Sequence, residues 1–184
     1  MANTATNVTV GKPAVGGAVF WAPLGTTLPT SASGTLDAAF KSLGYVSDDG
    51  TTNSNSVNTE DIKAWGGDTV ATVQTETVDE WKFKLIESLN VDVLTAVYGD
   101  DNVEGTLTTG ITVHANSDEV EAACWVIDQV MTGGVLQRTV IGNGKVSDRG
   151  DITYKDDEAV GFELTVKALP MSDGDTHKTY IIAP

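Results

Sequence analysis

The sequence predicts a mainly β fold with a small α contribution, an antiparallel β-sandwich or barrel of about ten strands with one short helix on its flank. Two observations carry that reading. Across residues 78–105, VDEWKFKLIESLNVDVLTAVYGDDNVEG, the hydrophobic period passes from two to about 3.6 without a break, which is a strand feeding a helix. On both sides of that stretch, almost everything else reads as short strand-like runs bounded by Gly, Pro, Asn and Asp.

In order along the chain, residues 1–15 are small, polar and β-prone, with no large apolar anchor before Val15. They read as an arm that is disordered or borrowed by a neighbour. Residues 16–24, GGAVFWAPL, form a strand ended by Pro23; residues 26–38 are a loop punctuated by Pro29 and Gly34, and residues 43–46 a second short strand. Residues 47–69, SDDGTTNSNSVNTEDIKAWGGDT, are too long for an ordinary connection and carry only Val57, Ile62 and Trp65 as large apolar groups. Two readings remain open there: solvated disorder, or an extended arm, beginning at Asp48 and Asp49, that orders against another subunit through Ile62 and Trp65. Residues 70–77, VATVQTET, resume as a strand polar on both faces, which does not suit a monomer's core.

The central strand places Trp81, Phe83 and Leu85 on one face and Lys82 and Lys84 on the other. The helix over residues 90–98 carries Leu89, Val93, Ala96 and Val97 as a stripe widened by Leu94 and Tyr98. Ser88 or Asn90 can cap it, Asp92 suits its positive end, and Gly99 supplies the stop. A helix this short is below the roughly 12–15 residues needed for marginal stability alone, so it must lie on the sheet. Strands follow at residues 111–114, 122–130, 135–141, 152–154, 162–168 and 176–183, with turns at 131–134 and 142–144.

With 184 residues and 40% apolar content, residues 1–184 read as a single domain. The formal charge of −15 argues against binding nucleic-acid phosphates or an anionic membrane surface. That charge is concentrated: residues 48–80 hold eight acids against one Lys, and residues 100–121 six acids and no base. Cys124 is the only cysteine, so an internal disulfide is excluded and a buried strand thiol is expected. The N-terminus has neither the basic start nor the apolar run of a signal peptide, and no stretch has the length of a membrane span. The expectation is a protein made in a cytoplasm, without membrane contact.

Catalytic chemistry finds no support. The doublets Asp48-Asp49 and Asp100-Asp101 and the run Asp156-Asp157-Glu158 are neighbours on an extended chain and point apart, whereas hydrolytic pairs converge across a cleft. His114 and His177 lack metal-ligand spacing, and no Gly-rich phosphate loop joins a strand to a helix. No cofactor and no metal are nominated, and the chain is not read as an enzyme. Arg149-Gly150-Asp151 spells an adhesion signal but stands where a turn is expected, and Asn7-Val8-Thr9 fits a glycosylation acceptor that is inert without secretion.

The helix and its exit, LNVDVLTAVYGDDNVEG over residues 89–105, resemble the corresponding helix and turn of siphophage major tail proteins, the tail tube subunits. The opening NVTVGKPAVGGAVFWAPLGTTLPT, residues 7–30, is similar to the start of the same proteins, and the order of strand, polar arm, strand, helix and further strands matches across the chain. The resemblance implies a tube-like β-sandwich or barrel that forms hexameric rings stacked into the tail tube of a virion. Its partners are then further copies of itself, tape measure, tail terminator and tail-tip proteins, with DNA only as passing cargo. It also implies that residues 1–15 clasp a neighbour and residues 47–69 reach the adjacent ring. Some members carry an added immunoglobulin-like domain, for which this chain is too short.

Six copies at −15 each carry about −90 per ring, and an acidic wall keeps DNA from adhering. Glu76, Asp128 and Glu163 are the candidate channel-facing acids, because they alternate with apolar residues on strands. The competing reading is an extracellular β-sandwich binding or adhesion module.

Overall fold

A computed structural model describes residues 3–184. In chain order the strands are β1 (Gly11–Pro13), β2 (Val19–Pro23), β3 (Lys41–Ser42), β4 (Val46–Lys63) and β5 (Thr69–Leu85), then the helix α1 (Val91–Tyr98). After it come β6 (Val103–Thr106), β7 (Gly110–Val113), β8 (Ala123–Met131), β9 (Leu136–Arg149), β10 (Phe162–Ala168) and β11 (Lys178–Ile182). The architecture is mainly β, as the period-two patterning predicts.

Alternation builds the interior. Trp81, Phe83 and Leu85 of β5 are buried on one side, and β10 matches them with Phe162, Leu164 and Val166. The two strands run antiparallel, with Leu164 opposite Phe83 and Val166 opposite Trp81. Trp125 and Ile127 of β8, Ile141 of β9 and Val19 of β2 join the same cluster. Helix α1 fills its open side with Val93, Leu94, Ala96 and Val97. Of the two cap candidates the helix uses Asn90, whose side-chain oxygen accepts the Asp92 N–H at 3.0 Å, and Gly99 ends it at φ 95°.

The hydrogen-bonded order is β3-β2-β8-β9-β10-β5-β4, with β1 on β8 beyond β2 and β11 on β9 beside β10. Residues 41–46 close this sheet into a barrel. Ser42 pairs with Phe20 and Val46 with Leu85. Between them the Leu43 N–H donates to Val19 O at 2.9 Å, and the Ile86 N–H donates to Tyr45 O at 3.0 Å. Closure removes the edges that a flat sheet would expose there.

A second apolar layer lies outside the wall of β2, β8 and β9, where Ala22, Cys124, Val126 and Val140 meet Phe40, Leu28 and Leu36 from the 24–40 segment. Arg138 holds that segment down. Its guanidinium forks onto both oxygens of Asp128 at 2.7 Å and donates to Ser31 O at 3.1 Å and Gly34 O at 2.6 Å.

Two sequence expectations change, and of the two readings of residues 47–69 the disordered one falls away. Residues 47–69 are not a structureless connection: β4 runs through residue 63 and pairs with β5 in a long hairpin. Residues 142–144 are not a turn but part of a continuous β9, and their glycines supply space rather than a bend. A Cβ on Gly144 would stand 2.6 Å from Trp125 Cδ1 and 2.9 Å from Val166 Cγ1; one on Gly142 would stand 2.5 Å from Met171 Sδ. Residues 152–154 are not a strand. Tyr154 is exposed, and the loop they begin is pinned by Glu158 between Lys84 (2.7 Å) and Lys155 (3.2 Å) instead. Of the 1–15 arm, residues 1–2 lie outside the described residues, and residues 11–13 lie along β8 of the same chain.

The glycine contacts make a prediction. Gly144→Ala, helix- and strand-compatible in principle, should lower unfolding free energy by about 1–3 kcal/mol through overpacking against Trp125. Urea unfolding followed by tryptophan fluorescence measures it; an unchanged midpoint would show that the indole moves aside freely.

Candidate functional site

The long hairpin changes character along its length. β10 pairs with β5 only from Glu80 to Leu85, so from Asp79 back to Thr69 the outer edge of β5 has no strand neighbour among the described residues. β4 is the terminal strand of the sheet and pairs only with β5. From Thr52 to Lys63 and from Thr69 to Thr77 every residue is exposed. Seventeen residues of β5 span about 50 Å, and the tip half of that length is a two-stranded ribbon open on both edges and both faces.

The sequence forms a ribbon here because its polar side chains pair across the ladder. Asn58 Nδ2 donates to Glu76 Oε2 at 3.1 Å, Thr72 Oγ1 to Asp61 Oδ1 at 2.7 Å, and Thr75 Oγ1 to Asn58 O at 3.2 Å. Residues 64–68 make the tip, where the Ala64 N–H donates to Asp68 O and the Gly67 N–H to Ala64 O. Gly66 and Gly67 sit at φ 123° and 100°, which side-chain-bearing residues avoid.

A bulge sorts the apolar residues. Asn58 faces Glu76 but Thr59 faces Gln74, so β5 carries one extra residue at Thr75. The slip turns the strand's alternation over. Val57, opposite Thr77, stays on the face that carries Trp81 inward, while Ile62, Ala71 and Val73 gather on the other face. Trp65, at the tip, is wholly exposed at 106%.

At the root of the ribbon lies a group that sequence reasoning missed. Asp79 is 1% exposed and faces inward, and its carboxylate accepts from Asn53 Nδ2 at 2.8 Å, Thr176 Oγ1 at 2.6 Å and the His177 ring nitrogen Nδ1 at 2.5 Å. The His177 ring stands edge-on to Trp81, centroids 5.5 Å apart. Burial alone would raise the Asp79 pKa, but the Thr176, His177 and Asn53 donors outweigh it and hold the carboxyl below its ordinary value of 3.8. The knot ties the start of β11 to the strand pair at the point where the core ends.

The other sequence candidates separate. Asp48 and Asp49 lie in a wide bulge of β4 beside the barrel wall, since Val46 faces Leu85 and Thr51 faces Phe83, with Gly50 at φ 71°. Glu76 sits on the outward face of the ribbon, and Glu163 on the outward face of β10 opposite Lys84. Asp128 is engaged by Arg138 beneath the 24–40 segment. Arg149 of the adhesion-like triad donates to Val97 O at 3.3 Å and lies over the Tyr98 ring, where a cation suits the negative end of α1. Among the described residues no helix is long and apolar enough to cross a membrane.

The sequence matches the family model described as phage tail tube protein over residues 1–183. No curated protein sequence matches it. Among solved structures the chain is similar to the cryo-EM structure of the anti-feeding prophage cap, the terminating cap of that tube, at 11% identity and a TM-score of 0.49, covering 99% of this chain and 100% of that one.

The Asp79 knot is testable through pH. A carboxyl held below its unfolded value contributes stability that is fully present above the unfolded value and is lost as pH falls through the folded one. Asp79→Asn should therefore cost about 1–3 kcal/mol near neutral pH, three donors losing a charged acceptor. The gap between the two proteins' urea midpoints should close on acidification below the ordinary carboxylate range. A gap independent of pH would show that the charge of Asp79 contributes nothing.

Proposed function

The chain belongs to the phage tail tube protein family, and from that membership together with the bare hairpin we propose that copies of it form stacked hexameric rings, the DNA-conducting tail tube of a siphophage. As a family member it is a structural, non-enzymatic component of the virion. The finer reading rests on one observation: a ribbon with two unpaired edges and a wholly exposed Trp65. Such an edge is an aggregation hazard in a free monomer, and pairing with a neighbour removes the hazard and uses the hydrogen-bonding groups. Residues 47–69 are then the arm that reaches the adjacent ring, with Val57, Ile62 and Trp65 as its apolar contacts, while residues 1–15 engage a neighbouring copy.

On this reading the outward face of β5 and β10 borders the channel, bringing Glu76 and Glu163 towards the passing DNA. Lys82, Lys84 and Lys167 share that face, so its wall is mixed in sign locally and acidic only in the sum over the chain. A net negative ring repels the phosphate backbone, which favours passage over binding. Tape measure, terminator and tail-tip proteins complete the assembly.

Shortening the ribbon tests the proposal. Replacing residues 59–75 by Asn-Gly, a two-residue turn suited to a hairpin between the paired Asn58 and Glu76, removes the open half and leaves the Asp79 knot and the barrel intact. We expect a folded monomer that forms no rings or tubes in negative-stain electron microscopy, under conditions where the full chain does. Normal tubes from the shortened chain would contradict the arm's role.

A further inference from the structure

Head-to-tail assembly needs two different surfaces, one at each end of the subunit, that fit one another. The strand β5 identifies those ends. Its first residue, Thr69, adjoins the tip at residues 64–68, and its last, Leu85, stands about 50 Å away in the barrel wall. Beside that end of β5, where the Ile86 N–H meets Tyr45 O, lies a groove of about 560 Å³ between residues 13–18 and residues 44–46, lined among others by Pro13, Val15, Ala18, Gly44, Tyr45 and Glu87.

The geometry points to this groove as the seat of a second copy's hairpin tip, with Trp65 entering between Val15 and Tyr45 and Lys63 pairing with Glu87. This rests on the tube reading above and names the acceptor surface it needs. Size and chemistry agree. Trp65 is 106% exposed on a tip whose glycines leave it unobstructed, and Val15 and Tyr45 at the groove's rim are 104% and 74% exposed, apolar surface with no partner inside the chain. A planar aromatic entering such a cleft is the residue type that dominates protein interfaces.

The charges agree as well. Among the described residues Glu87 is the only charged side chain lining the groove, and Lys63 is the only base among residues 48–80. Neither belongs to any of the ion pairs among the described residues. Glu87 is already positioned: Oε1 accepts the Tyr45 N–H and Oε2 accepts Asn90 Nδ2, both at 3.0 Å. Each carboxylate oxygen keeps a free lone pair for an incoming ammonium group. Gly44 has the φ of +70° and the missing Cβ that let this carboxylate lie across it. In a chain of charge −15, where copies repel one another generally, one matched pair of opposite sign selects the register of contact.

Cross-linking tests the seat directly. Ala64→Cys combined with Ala14→Cys, positions beside the contact that keep Trp65 and Val15 in place, should give a reductant-sensitive ladder of covalent oligomers when the assembled full-length protein is oxidised. Ala64→Cys combined with Tyr154→Cys, Tyr154 being exposed elsewhere, should give none. Charge reversal supplies a second readout: Lys63→Glu should raise the critical concentration for tube formation about tenfold, and Lys63→Glu with Glu87→Lys should bring it back to within about threefold. No ladder from the Ala64→Cys/Ala14→Cys pair, or a ladder from the Tyr154 control instead, overturns the groove while leaving the arm's role standing. Tubes from the chain shortened at residues 59–75 overturn the arm's role itself.

Discussion

Everything distinctive about this subunit depends on one strand that serves two environments. Residues 80–85 of β5 have neighbours on both sides and bury Trp81, Phe83 and Leu85, while residues 69–77 have one neighbour and bury nothing. A β-ladder has no means of its own to stop being core at a chosen residue. The stop is made by Asp79, a carboxylate the interior accepts only because Asn53, Thr176 and His177 satisfy it. That knot fixes the level at which the barrel ends and the direction in which the ribbon leaves it.

Beyond the knot, the fold is unfinished in a way that assembly can complete. A monomer gains little from ordering an exposed ribbon, because no apolar burial offsets the conformational entropy lost. The ribbon repays its cost only when a second chain covers it, and the Thr75 bulge prepares for that by collecting Ile62, Ala71 and Val73 on one face. The rigid barrel and the open ribbon thus divide the work between holding a wall and joining copies.

What could be read in the sequence followed from local periodicity. The alternation of Trp81, Phe83 and Leu85 with two lysines, the stripe of Val93, Leu94, Ala96 and Val97 on α1 and its Asn90 and Gly99 caps are all contacts between near neighbours, and each is found in the structure; Leu89, expected in that stripe, precedes the helix and is exposed. The ribbon was legible only as a long polar segment, since Ser, Thr and Asn on both faces give no alternation to read. Its exposed apolar residues, Val57, Ile62 and Trp65, could be named in advance because they are the segment's only large ones. Gly142 and Gly144 misled, because a glycine that makes room for Met171 or Trp125 looks in sequence like one that makes a turn. Asp79 could not be found at all: its partner His177 is 98 positions away and carries no spacing signal.

Hydrogen exchange on the full-length protein, below and above the concentration at which it assembles, tests the central claim most directly. Amides of residues 69–79 whose N–H groups point away from β4 should exchange rapidly in the monomer, as open edges do, and slow by at least about a hundredfold on assembly as a neighbouring chain covers them. Assembly that protects the barrel but leaves those amides as fast as in the monomer would contradict it.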